Sequence, residues 1–224
     1  MVKNFSKYNY PNLARDDSSD VRLYKTPKGD FVPSVTTIIG ATMDTTGLDN
    51  WRARVGEERA EAIRVEAARV GTSMHAFLES YASGVKRDYV PSPVHSQASK
   101  MADVIVREGL KYIDEIWGSE VQLYYEDKYA GTTDLAGMYK KTPHIIDFKQ
   151  TNKPKKEEWV ENYYLQLAAY INAHNYLTES NIQNGVILMC SRDLQFQKFE
   201  MNEIMFQKYS YMWFNRVREY QKLN

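Results

Sequence analysis

The period of the hydrophobic positions changes repeatedly along this chain, and each change marks an element. The segment "VRLYKTPKGDFVPS" reads as a hairpin turning at Lys28-Gly29, and Ser34 is then placed to cap a short helix through "VTTIIGATM". Residues 48–81 carry a helical pattern with Gly71 as its weak point. After a loop at "ASGVKRDYVPSP", residues 94–117 read as helix, followed by strands at "SEVQLYYE", "GTTDLAGMYK" and "HIIDFKQ". A helix over residues 156–177, strands at "GVILMCS" and "LQFQKFEM", and a helix over residues 203–222 complete the reading. Helices before, inside and after mostly consecutive strands predict an α/β fold: a central mixed β-sheet flanked by helices, with an N-terminal hairpin and a long helical annex. One domain is expected over residues 1–224, its annex in residues 1–90 and its core in residues 91–224.

Two of these strands carry charge where apolar residues would pack more cheaply. In "HIIDFKQ", alternation puts Ile146 and Phe148 on one face and Ile145, Asp147 and Lys149 on the other. A four-residue loop at residues 140–143 would pair Tyr139 with His144 and set Asp134 against Lys149, whereas a two-residue loop at Lys140-Lys141 would set Asp134 opposite Asp147. Either register keeps the three charged side chains on one face. Two carboxylates this close repel unless a proton or cation lies between them, and one lysine cannot neutralise both. A surface hairpin facing water would be the better reading of an isolated D-x-K. The functional reading is a hard divalent cation held by Asp134 and Asp147, with Lys149 beside the reacting water.

Composition narrows the frame. A chain of 224 residues buries roughly 70% of its unfolded surface, and 43% hydrophobic content is enough for a core. No apolar run approaches the roughly 20 residues that span a bilayer, so no membrane partner is expected. Lys+Arg and Asp+Glu both number 29, so nucleic-acid binding would have to come from a local patch. The one cysteine, Cys190, excludes an internal disulfide and a four-cysteine iron-sulfur site, and its place in "GVILMCS" predicts core packing. The N-terminal residues lack the apolar segment of a secretory signal, so a cytoplasmic setting is expected. No glycine precedes a lysine, which excludes a phosphate-binding G-x-x-x-x-G-K-[ST] loop.

Helical positions add to the charged hairpin. His75 and Glu79 are four apart in "GTSMHAFLESY", as are Gln166 and Tyr170 in "NYYLQLAAYINAHN", so each pair shares a helix face. Either pair alone is commonplace. Together, G-x-x-x-H-x-x-x-E, G-x-x-D, D-x-K and Q-x-x-x-Y, carried by Gly71, His75, Glu79, Gly131, Asp134, Asp147, Lys149, Gln166 and Tyr170, resemble the RecB-like branch of the P-D-(D/E)-x-K nuclease superfamily. The segment "VPSVTTIIGATMD" is also similar to one that precedes a long helix in the mitochondrial genome maintenance exonuclease group and its phage relatives. Thr133-Asp134 stands where the superfamily's literal Pro-Asp would be, as is usual in this branch, and no helicase segment is present.

The resemblance implies a restriction-endonuclease-like nuclease core and a metal-dependent DNA exonuclease that prefers single strands with a free end. Asp134, Asp147 and the Phe148 carbonyl would hold Mg²⁺ or Mn²⁺. His75 would approach the metal, with Glu79 as a ligand or orienter. Lys149 would orient or deprotonate the attacking water, and Gln166 and Tyr170 would position the substrate backbone or the site itself. Arg52, Arg59, Lys153 and Lys155 are candidates for gripping the strand, and Trp159 and Tyr163 for stacking on bases. Replication or recombination proteins are candidate partners, and a phage-encoded chain would work in the bacterial cytoplasm. An endonuclease on the same residues and a catalytically weak nucleic-acid-binding protein are the alternatives. Glu120 and Glu126 both read as solvated, with nothing to choose between them as an extra ligand.

Overall fold

A computed structural model describes residues 2–3, 7–18, 21–85 and 91–223. In chain order the elements are β1 (Val2–Lys3), β2 (Ala14–Asp16), β3 (Leu23–Lys25), β4 (Phe31–Pro33), α1 (Val35–Thr42), α2 (Thr46–Val55), α3 (Glu57–Ser83), α4 (Pro93–Glu108), β5 (Ile113–Tyr125), β6 (Tyr129–Tyr139), β7 (Thr142–Thr151), α5 (Glu161–Thr178), β8 (Asn184–Ser191), β9 (Phe196–Met201) and α6 (Glu203–Leu223). The described residues form a six-stranded sheet in the order β1-β5-β6-β7-β8-β9 and a three-stranded sheet β2-β3-β4. The larger sheet is mixed, because β1 joins β5 and β7 joins β8 in parallel while the other neighbours are antiparallel. The expected α/β architecture is therefore present, and no described helix is long and apolar enough to cross a membrane.

Alternation along β7 and β8 divides the core between the two faces of the sheet. Ile146, Phe148, Leu188 and Cys190 pack under α3 and α4, against Met74, Leu78, Met101 and Ile105. Ile145, Ile187 and Met189 pack under α5 and α6, against Leu167, Ile171 and Trp213. Burial pushes the Cys190 thiol up to about 11, as suits a packing residue rather than a nucleophile.

Two expectations are corrected, and one open choice is decided. The helix expected over residues 48–81 is two helices, broken at Gly56 rather than Gly71. Gly56 adopts φ 86°, a region that favours glycine, and its N–H donates to Arg52 O at 2.9 Å. Gly71 stays helical at the contact of α3 with β7, where a Cβ would lie an ordinary 3.4 Å from Gln150 Cγ. The helix expected to reach residue 117 ends at Glu108, and β5 already begins at Ile113. Ile113, Ile116 and Trp117 have helical spacing because register shifts beside Ile113 and Ile116 interrupt the strand alternation.

The structure also decides between the two hairpin registers. Tyr139 pairs with Thr142, so the loop is Lys140-Lys141 and not the four-residue alternative. Both lysines have positive φ, 49° and 66°, which matches the twist of a two-residue hairpin. Their backbone N–H groups are anchored by Tyr112 O at 3.0 Å and Asp114 Oδ2 at 2.7 Å. Pro143 is tolerated because the ladder from β7 to β8 begins one residue later, at His144. Residues 86–90 of the expected loop lie outside the described residues.

Candidate active site

The pairing of β6 with β7 stops at Leu135 and Ile146, one residue short of the two aspartates. Beyond that point β6 continues beside β5, and β7 beside β8. Backbone groups left by this divergence need other partners. The Phe148 N–H donates to Asp134 Oδ2 at 2.5 Å, so a side chain replaces the missing rung. His75, on α3, lies 3.0 Å by Nδ1 from the other Asp134 oxygen. Asp147 is paired with the Lys149 ammonium through Oδ2. Asp134 and Asp147 are 8% and 2% exposed, a burial that carboxylates seldom accept without partners.

Charge in this gap is mutually dependent. Burial alone would raise Asp134, but His75, its hydrogen bond, Lys149 and the Phe148 N–H hold it below its ordinary value. Asp147 is pushed up to about 6 by burial, with Lys149 opposing and Asp134 adding to the rise. Burial opposes the charge on His75, yet the two aspartates prevail and raise it to about 9. Lys149 is likewise raised, against its burial, by Asp147 and Asp134.

His75, Asp134, Asp147, Lys149, Gln166 and Tyr170 line one cavity of about 230 Å³. Gln166 Nε2 donates to the Tyr170 hydroxyl at 3.0 Å, the specific partner that its apolar surroundings require. Gly131 makes room for that tyrosine, because a Cβ there would lie 2.8 Å from Tyr170 Cε1 and 3.4 Å from Val35 Cγ2. Tyr170 is 3% exposed and has little room to yield. Gly131→Ala should therefore cost about 1–3 kcal/mol by overpacking, read as a lower melting temperature. Adding Tyr170→Ala should make the alanine at 131 harmless in that background. An unchanged melting temperature in Gly131→Ala alone would show that the ring swings clear.

Glu120 completes the cluster at the place where the resemblance implies Glu79. One ligand atom each from His75, Glu120 and Asp134 lie within 4.8 Å of one another. Ser119 pairs with Leu135 and Val121 with Thr133, so Glu120 falls opposite Asp134, with φ 52°. Glu79 lies in an adjoining cleft of about 450 Å³ with His75 and Glu120. The Gly118-Ser119 pair inside a strand pattern is the available sign of an irregular strand that re-aims its next side chain. Two oxygen donors and an imidazole, with Asp147 in the same cavity, suit a hard divalent cation.

None of the residues expected to bind nucleic acid is among those that line this cavity. Tyr163 adjoins a lining residue, with Lys149 Nζ 5.3 Å from its ring centroid. Lys153 and Lys155 sit on the connection from β7 to α5, and Lys155 is half-buried with its backbone bracketed by Gln197. Trp159 is 57% exposed beside Lys156. Arg52 lies 3.8 Å from Asp49 on α2, and Arg59 is exposed on α3. Arg15, on β2, and Arg22, the residue before β3, line the cavity instead, and no motif or spacing in the sequence singles them out.

No family model matches the chain. It is 27% identical over 203 residues to mitochondrial genome maintenance exonuclease 1 of Mus musculus, covering 84% of this chain and 59% of that protein. The Xenopus tropicalis protein of the same name is 27% identical over 180 residues, covering 72% of this chain and 49% of its own length. The chain thus spans about half to three fifths of the curated relatives it matches. A crystal structure from Eubacterium rectale, described as a candidate exonuclease, superposes on 68% of this chain and 66% of its own with a TM-score of 0.50 at 15% identity. The likeness to that structure is one of fold, and the likeness in sequence is to the two curated exonucleases.

Proposed function

We propose that this chain is a RecB-like, metal-dependent deoxyribonuclease that hydrolyses phosphodiester bonds of single-stranded DNA from a free end. The observation that carries the reading is the gap between β6 and β7, where Asp134, Asp147, His75, Glu120 and Lys149 converge on one cavity. Asp134 and Asp147, with His75 and the Phe148 carbonyl, would hold Mg²⁺ or Mn²⁺, and Glu120 joins them as a ligand or orienter. Such an ion supplies positive charge for the phosphate and acidifies water at neutral pH. Lys149 orients or deprotonates the attacking water and offsets charge on the phosphate oxygens. Tyr170, held by Gln166 and lining the same cavity, would position the substrate backbone or the site itself.

End-labelled single- and double-stranded DNA and RNA, incubated with Mg²⁺, Mn²⁺ or EDTA, test this directly. Rapid cleavage of single-stranded DNA with either metal and none in EDTA is expected. Metal-independent cleavage, or none with any substrate, would sink the reading. His75 tests the nitrogen donor, because Mg²⁺ demands a near-ideal ligand set whereas Mn²⁺ tolerates the loss or exchange of a ligand. His75→Ala should lose more activity in Mg²⁺ than in Mn²⁺. Unchanged metal-dependence curves would reduce His75 to a packing residue.

A further inference from the structure

Asp17 joins two arginines through their inner nitrogens. Its Oδ2 lies 2.7 Å from Arg15 Nε, and its Oδ1 accepts from Arg22 Nε at 2.8 Å. A guanidinium has five N–H donors, so among the described residues this use of Nε leaves the terminal nitrogens of both side chains for another ligand. Two positive charges on one carboxylate leave an excess of one. Both arginines line the cavity that holds His75, Asp134 and Lys149. Arg22 also borders the two flanking clefts, about 780 Å³ beside α1 and about 450 Å³ beside α3. It therefore stands where the three spaces meet.

The backbone beneath the pair is tied to the catalytic strand. Arg15 is on β2 opposite Tyr24, whose hydroxyl is 3.3 Å from Thr132 Oγ1 on β6. Ser34 bridges to Ala130 on β6, and its N–H donates to Arg22 O at 2.9 Å. Thr37 Oγ1 donates to the same carbonyl at 3.4 Å. Ser34 and Thr37 thus hold Arg22 in register with the strand that carries Asp134, and a site supported in this way keeps its geometry when a ligand arrives.

We propose that Arg15, Asp17 and Arg22 form a phosphodiester clamp that grips the DNA backbone at the phosphate next to the scissile one. The inference rests on the nuclease reading and names the part of the substrate that this wall recognises. Planar guanidinium forks match phosphate oxygens, and an acidic tether that occupies only Nε pre-orients both forks. Arg15 reaches the catalytic cavity alone, so it faces the reacting nucleotide. Arg22, at the confluence, follows the strand as it leaves.

Binding of a labelled single-stranded oligonucleotide to Lys149→Ala protein in Mg²⁺, where cleavage is expected to be absent, reads the clamp without catalysis. Adding Arg15→Ala and Arg22→Ala should weaken binding at least tenfold. The slope of log K against log salt should shrink by about 0.7, the value for one lost phosphate contact on a single strand. Lysines at both positions should keep the slope but lose several-fold in affinity, because charge remains and the fork is gone. Asp17→Asn should also lose several-fold. Tighter binding by Asp17→Asn would overturn the tether. The parental arginines can be tested without a folding risk by a strand carrying one neutral methylphosphonate, moved along the backbone. One internal position should weaken binding to the arginine protein and have no effect on the double alanine variant. Equal penalties in both proteins, or a penalty only at a terminal phosphate, would overturn the clamp. If the wild type cleaves DNA but the arginine variants bind normally, the clamp fails and the nuclease reading stands. Clamp-dependent binding without cleavage by the wild type would instead support the phosphate grip and overturn the nuclease reading, and no measurable binding would overturn both.

Discussion

Asp134→Asn, Asp147→Asn and Lys149→Ala should each lower DNA cleavage by at least about a hundredfold while leaving the protein folded. The loss of a metal-holding carboxylate or of the lysine beside the water removes several kcal/mol of transition-state stabilisation, and each 1.4 kcal/mol is about tenfold in rate. Asparagine is the sharper probe of the aspartates. Asp134 accepts the Phe148 N–H, and alanine would leave that buried donor without its partner. Asp147 is buried against Lys149, and alanine would strand an ammonium that is 17% exposed. An amide keeps an acceptor in each place and removes the charge. Initial rates on an end-labelled strand in Mg²⁺, with thermal melts of each variant, separate chemistry from folding. Near-parental turnover by a well-folded Asp147→Asn protein would falsify the site.

Circular single-stranded DNA should resist the enzyme under conditions that degrade the same sequence when linear. The C-terminal half of α3 carries its buried residues Val70, Met74, Leu78 and Ala82, whereas its first half buries Ala60 and α2 buries none. Those exposed turns extend beyond the core: 27 residues at about 1.5 Å each give α3 a length of about 40 Å. Arginines on this projection, Arg52 and Arg59 among them, could close a channel over the strand by charge, with Tyr163 and Trp159 offering faces to unpaired bases. Duplex DNA would be too wide, so degradation should stall at junctions and weaken steeply with salt. Equal rates on circular and linear strands at matched Mg²⁺ and salt would reject threading and leave an endonuclease on the same residues.

Much of this architecture is legible in the amino-acid sequence, because it depends on short-range periodicity. Strong alternation in β7, the capping hydroxyl of Ser34 and the apolar run of β8 are local signals, and the structure has each of them. The convergence of His75, Asp134, Asp147, Lys149, Gln166 and Tyr170 is legible for another reason: their spacing and order match a known pattern, and the fold brings all six to one cavity. Local spacing cannot choose the hairpin register, since both loops keep side-chain parity. The anchors for Lys140 and Lys141 come from Tyr112 and Asp114, far away in sequence. Nor can it find Glu120, which reaches the cluster through an irregular backbone set by long-range pairing with β6. The break at Gly56 rather than Gly71 follows from packing, since β7 supports the helix at Gly71 and no described element does so at Gly56. Arg15 and Arg22 look in sequence like any solvated arginines. Only the docking of the small sheet on β6 turns them toward the aspartates, because ties between residues more than a hundred positions apart leave no periodic trace.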